Sequence, residues 1–128
     1  MGENFSKLED LEMWKKCRTL RIDLRKFMKT LPSEEKFRLL DQIVRAARSI
    51  TNNIAEGYGR FHYQENVQYL RQSRGSIYEC IDHLYVSLDE EYIILYDTCQ
   101  ECLKLVNGYI KYLLNRKGGA SDTHPTTD

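Results

Sequence analysis

Leu11, Trp14, Cys17, Leu20, Leu24, Phe27, Met28 and Leu31 recur at steps of three and four residues. That spacing places them on one broad face of a helix over residues 10–31, which Pro32 ends. Ser33 is a good N-cap for a second helix over 34–56, with Glu34 and Glu35 in the first turn, where carboxylates meet the positive end of the helix dipole. Its apolar stripe is Phe37, Leu40, Ile43, Val44, Ala47, Ile50 and Ile54. Gly57 stands where a left-handed C-terminal residue is wanted, so Gly57-Tyr58-Gly59 reads as a tight connection. A third helix over 64–88 carries Val67, Leu70, Ile77, Ile81, Leu84 and Leu88, a seven-residue repeat interrupted by Arg74, which needs a partner if it is buried. The acidic segment Asp89-Glu90-Glu91, with Tyr92 and Ile93, breaks the pattern. A fourth helix over 94–117 keeps Leu95, Cys99, Cys102, Leu103, Val106, Ile110 and Leu113 in phase.

Four such helices with three short connections predict an all-α protein, an up-down-up-down antiparallel four-helix bundle over residues 10–117. An N-terminal extension, 1–9, precedes it. The small, polar stretch 118–128, which contains Pro125, reads as a disordered C-terminal tail.

Composition agrees with one helical domain: 128 residues, 7 Gly and 2 Pro, 41% hydrophobic and 30% charged, too apolar for a disordered chain. The longest apolar run, Tyr92-Ile93-Ile94-Leu95-Tyr96, falls far short of the ~20 residues of a membrane-spanning helix. The N-terminus has neither the basic start nor the apolar stretch of a secretory signal, so a cytoplasmic protein is expected. Lys and Arg number 19 and so do Asp and Glu, and a net charge of zero argues against indiscriminate coating of nucleic acid. That sum hides an asymmetry. Residues 1–64 hold 13 basic and 9 acidic side chains, net +4, and residues 65–128 hold 6 and 10, net −4.

The stretch Ser49-Ile50-Thr51-Asn52-Asn53-Ile54-Ala55-Glu56-Gly57-Tyr58-Gly59-Arg60 closely resembles the signature of the bacterial four-helix-bundle proteins encoded in 23S rRNA intervening sequences. The likeness extends to Trp14, to Phe37 and the Gln42-Ile43-Val44-Arg45-Ala46-Ala47 run, and to Leu70-Arg71 with Arg74-Gly75-Ser76-Ile77-Tyr78-Glu79, and covers about residues 8 to 116. Thr51 departs from it, since many relatives carry Pro there. The resemblance implies a homopentameric ring of bundles without known catalysis. Asn53, Ala55, Glu56, Gly57, Gly59, Arg60, Arg71 and Arg74 would then be family-signature residues of structure or interface. The same superfamily looks to include the accessory proteins of diversity-generating retroelements, pentameric basic barrels that bind nucleic acid and the element's reverse transcriptase.

Glu56 lies near a helix C-terminus, where a carboxylate opposes the dipole and calls for a cation. Arg45, Arg48, Arg60, Arg71 and Arg74 are candidates, Arg71 or Arg74 foremost. As a general base Glu56 would need a pocket and a companion acid or nucleophile, and the residue inventory offers none, so no enzyme is expected. Gly57 and Gly59 follow a helix rather than a strand, which is wrong for a phosphate-binding turn. Cys99 and Cys102 look like half a zinc site, yet no second close pair exists and both fall in the apolar stripe, so they read, with Cys17 and Cys80, as buried thiols. His62, His83 and His124 lack the spacing of a helical metal pair, so neither metal nor cofactor is expected. Nine tyrosines fit subunit contacts as well as the rim of a core.

The strongest basic stripe lies on the first helix. Arg18, Arg25 and Lys29 share one face with Lys15 nearby and Arg21 beside them. In one subunit it reads more readily as a solvated face, but a ring multiplies each cation, and ~6–10 neutralised phosphates suffice for salt-sensitive nucleic-acid binding. The first expectation is therefore a non-catalytic oligomer that binds RNA or DNA through a composite basic surface. The second is a scaffold that docks a partner such as a reverse transcriptase, or a purely structural protein-interaction module.

Overall fold

The computed structural model describes residues 7–30, 33–87 and 90–116, with the side chains of 33–37, 87 and 90–93 outside the description. The described residues form four helices and no strand: α1 (Glu12–Met28), α2 (Ser33–Tyr58), α3 (Tyr63–Ser87) and α4 (Glu90–Arg116). A single 3-10 turn, Leu8–Asp10, leads into α1. Each helix packs on its neighbour in the chain, and α1 also packs on α4, so the four surround one core.

That core is built from the stripes that the periodicity marks. Cys17, Leu20, Leu24, Phe27 and Met28 come from α1, Ile43, Ala47, Ile50 and Ile54 from α2, Val67, Leu70, Ile77, Ile81 and Leu84 from α3, and the whole expected stripe from α4. Leu39, Ala46, Met13 and Cys80 join it, while Trp14, Leu11, Leu40 and Val44 are only partly buried against it. Burying a large aliphatic side chain contributes ~1.5–3 kcal/mol, so this shared interior is the main source of stability. Leu31 and Leu88 lie outside the described residues, as do the side chain of Phe37 and the tail 118–128.

The helix ends differ from expectation in three places. First, α1 stops at Met28, short of Leu31. The Lys29 N–H donates to the Lys26 and Phe27 carbonyls and the Thr30 hydroxyl donates to the Phe27 carbonyl at 2.6 Å, closing the turn before Pro32 is reached. Second, α4 begins at Glu90, so most of the acidic segment read as a link belongs to the helix. Acidic residues are generally favoured in the first turn of a helix, so an acidic stretch of sequence is compatible with a helix start. Third, Gly57 is helical, not left-handed. No described glycine has a positive φ, and the left-handed residue of this connection is Phe61, with φ 62°.

Gly57 instead allows a close approach. A Cβ there would stand 2.6 Å from Asn66 Oδ1, 3.0 Å from Tyr69 Cβ and 3.2 Å from the Asn66 carbonyl, so α2 and α3 meet at a distance that only hydrogen permits. Small and polar side chains continue this seam. Ser73, fully buried, donates its hydroxyl to the Ile50 carbonyl at 2.7 Å. Ser76 donates to Ser49 Oγ at 2.8 Å, and Asn53 Nδ2 donates to the Ser49 carbonyl and hydroxyl at 2.9 and 3.0 Å. The interrupted repeat of α3 is explained by the same seam, because Ser73 occupies the interior and Arg74 reaches sideways to donate to Asn107 Oδ1 of α4 at 2.9 Å.

Candidate functional site

Several residues of the Asn53-to-Arg60 signature line the contact between α2 and α3. Asn53 belongs to the α2–α3 seam, Gly57 is buried in it, Ala55 is partly buried, and the Gly59 N–H closes the helix end on the Ala55 carbonyl. Glu56 pairs with Arg60, one turn on, at 2.8 Å, rather than with Arg71 or Arg74. The Arg60 guanidinium also donates to the Tyr69 hydroxyl at 3.0 Å and lies 5.3 Å from that ring's centroid. This ion pair stands about half exposed on the surface, and through Tyr69 it bridges the end of α2 to α3. Arg71 is exposed.

All four thiols are free and buried, and they come from three helices: Cys17 of α1, Cys80 of α3, and Cys99 and Cys102 of α4. Cys17 and Cys102 share a hydrogen bond, which together with burial pushes the Cys17 thiol well above its ordinary range. Burial raises Cys80 strongly and pushes Cys99 up to about 12. Such thiols stay protonated and act as small hydrophobes. Among the described residues, no group of three or more His, Cys, Asp or Glu has a metal-holding arrangement.

The basic stripe of α1 takes varied local partners. Lys15 lies 3.5 Å from Glu12, both well exposed, and Arg18 leans over the Trp14 ring at 5.9 Å. Lys16, outside the stripe, spans to Glu101 of α4 at 2.8 Å. Arg25 and Lys29 are exposed, with no carboxylate in ion-pair reach among the described residues. Arg21 is partly buried and donates from Nη1 to the Thr51 hydroxyl at 2.7 Å; that hydroxyl in turn donates to the Arg48 carbonyl at 3.4 Å.

Between α1 and α2 these side chains border a pocket of about 220 Å³. Arg21 and Arg25 stand on the α1 side, Arg48 on the α2 side, and Ile22, Leu24, Val44 and Ala47 complete the lining. Arg48 is the functional candidate that the stripe on α1 did not include. The signal for it was available: Arg38, Asp41, Arg45 and Arg48 recur at helical spacing on the exposed face of α2. Of these cations, Arg45 is turned to Asp41 at 3.5 Å and Arg48 is left without a described carboxylate. What a one-helix reading lacks is the knowledge that this face of α2 lies beside the basic face of α1.

A family model described as 23S rRNA-intervening sequence protein matches residues 9–114. No match is found among the curated proteins.

Proposed function

Because this chain belongs to the 23S rRNA-intervening sequence protein family over residues 9–114, we propose that it is a non-catalytic nucleic-acid-binding protein that engages RNA or DNA through cations of α1 and α2. The observation that carries the reading is the run of exposed or partly exposed cations Lys15, Arg18, Arg21, Arg25 and Lys29, in which Arg21 and Arg25 have no described carboxylate within ion-pair reach. The net +4 of residues 1–64 is matched by α1 alone, since the four basic and four acidic residues of α2 cancel, while α3 and α4 are each net −1, so the positive charge is concentrated on α1.

In this reading the helices form an up-down-up-down antiparallel bundle, which the short connections favour, and five subunits form a ring in the cytoplasm. A ring repeats each cation with its symmetry and brings the number of phosphate contacts to the level that salt-sensitive binding requires. No described helix is long and apolar enough to cross a membrane.

Filter binding of a structured RNA and a duplex DNA at several salt concentrations tests the reading. Measurable affinity near 100 mM salt, with a log-log slope that shrinks by ~1 for each cation replaced, supports it. Affinity that is absent there, or unchanged when Arg18, Arg25 and Lys29 are replaced by Glu, overturns it. Light scattering tests the assembly: the 15.2 kDa chain should scatter as a particle about five times that mass.

A second reading, a scaffold that docks a protein such as a reverse transcriptase, is favoured by apolar side chains left exposed on α3 and α4: Tyr78, Tyr85, Val86 and Ile94. Co-purification with the products of neighbouring genes, lost on replacing Tyr78 and Tyr85 by Ser, is the expected result.

A further inference from the structure

We infer that the α1–α2 pocket is a phosphate-ester site, in which Arg21, Arg25 and Arg48 grip one phosphate group and the apolar lining receives the atoms that flank it. The inference deepens the nucleic-acid reading and rests on it for the source of the phosphate.

Three features of the pocket point to this ligand class. All of its charged lining is cationic, and no described carboxylate lies in ion-pair reach of the three guanidinium groups. By contrast, the groove beside Phe27 and Ile94 has Asp23 with Lys26, the one beside Tyr69 has Glu65, and the one beside Tyr109 has Glu12 with Lys104. Three unneutralised cations around one space repel one another, and a bound dianion or diester removes that repulsion. Planar guanidinium forks match the oxygens of a phosphate two at a time.

Second, one of the three is held in place. The Thr51 hydroxyl, only 3% exposed, accepts from Arg21 Nη1 at 2.7 Å while donating to the Arg48 carbonyl. The remaining donors of Arg21 are left for a ligand, and the ordering cost of that side chain is partly met before binding. Third, the lining between the arginines is aliphatic, with Ala47 contributing no bulk. Attraction between charges strengthens beside such low-dielectric walls, and an apolar surface suits the sugar or base edge of an ester better than free phosphate. At about 220 Å³ the space is below the ~300–1,000 Å³ of sites that enclose a whole drug-sized ligand, so it suits a phosphate and its immediate ester atoms.

The test compares the full chain with its Arg48→Gln, Arg48→Lys and Lys29→Gln variants, using three probes: inorganic phosphate, uridine monophosphate and a single-stranded RNA decamer. Thermal unfolding checks that each variant is folded and also reads ligand binding, because a ligand that binds only the folded state raises Tm. Arg48 is exposed, so its replacement should leave the fold intact. The expected result is that Arg48→Gln weakens RNA about ten- to a hundredfold, the size of a lost charge-assisted contact, and that Arg48→Lys restores little of it. Lys29→Gln, outside the pocket, should weaken RNA only a few-fold. Uridine monophosphate should raise the Tm of the unaltered chain more than inorganic phosphate and should not raise that of Arg48→Gln. RNA binding that Arg48→Gln and Lys29→Gln weaken equally overturns the pocket and leaves the nucleic-acid reading standing. RNA that fails to bind while the monophosphate binds through Arg48 overturns the nucleic-acid reading and keeps the pocket as a site for a free nucleotide. Absence of binding by all three probes overturns both.

Discussion

Gly57 of α2 and Asn66 of α3 lie so close that a methyl group on the glycine would stand 2.6 Å from the asparagine side-chain oxygen. Asn66 is itself 3% exposed, and Tyr69 Cβ and the Asn66 carbonyl would stand 3.0 and 3.2 Å from the same methyl, so moving the Asn66 side chain alone would not relieve the crowding. The signature glycine therefore serves the approach of two helices, and the seam beyond it continues through the amide of Asn53 and the hydroxyls of Ser49, Ser76 and Ser73.

Gly57→Ala should destabilise the protein by up to about 2 kcal/mol, since overpacking of ~1–3 kcal/mol opposes the ~1 kcal/mol that alanine contributes to a helix. Gly75→Ala and Gly108→Ala are the controls. A Cβ at either meets nothing within 4 Å, so each should stabilise an isolated chain by up to ~1 kcal/mol. Urea unfolding midpoints decide, and a Gly57→Ala variant as stable as the controls would refute the close-approach account.

Ser73→Ala removes a buried hydroxyl that donates to the Ile50 carbonyl at 2.7 Å. The loss should be about 1 kcal/mol, because the carbonyl retains its place in the α2 ladder. Combined with Asn53→Ala, whose partner Ser49 also accepts from Ser76 in the same seam, the double variant should depart from additivity by ~0.5 kcal/mol or more. Strict additivity in chemical denaturation would mean that the seam is a set of separate contacts.

Glu56→Gln should change stability by no more than ~0.5 kcal/mol, as both partners of the Arg60 pair are about half exposed and close on the helix surface. Calorimetry showing a loss above ~1.5 kcal/mol would assign the carboxylate a role beyond this surface clamp.

The buried thiols predict a one-sided pH dependence. Burial holds Cys99 at about 12 against an ordinary 9.0, and Cys17 and Cys80 are raised as well. Below pH ~9 folded and unfolded chains carry the same thiol protons, so these groups leave stability unchanged. Between pH ~9 and ~12 the unfolded chain releases protons that the folded chain keeps, so stability falls as pH rises. Unfolding free energies across this range, compared with those of a Cys99→Ala variant, check the sign. A thiol reagent at pH 8 should label the native protein only as fast as it opens, and burst labelling of the native state would contradict the buried assignment.

Helix number and the core stripes were legible because apolar residues at steps of three and four can be buried together only on a helix face; every α4 position so marked is buried, Leu95 through Leu113. What the pattern could not supply was any relation between helices. Periodicity marked Gly57 as a chain reversal, because glycine after a helix usually is one, whereas its place was decided by the atoms of Asn66 and Tyr69 across the seam. It proposed Arg71 or Arg74 for Glu56, although Arg60 was one turn away on the same helix end, and Arg74 was drawn instead to Asn107.

The same division runs through the candidate site. By itself the sequence determined a chain of four amphipathic helices with a basic first half, a basic stripe on α1 and thiols in apolar phase, since each of these depends on spacing within one helix. Only the tertiary structure decided that Arg48 of α2 stands across a pocket from Arg21 and Arg25 of α1, that Thr51 fixes Arg21, and that thiols from three helices share one interior. Those are distances between segments far apart in the chain, set by how side-chain volumes fill the space between helices, and no single helix's pattern contains them.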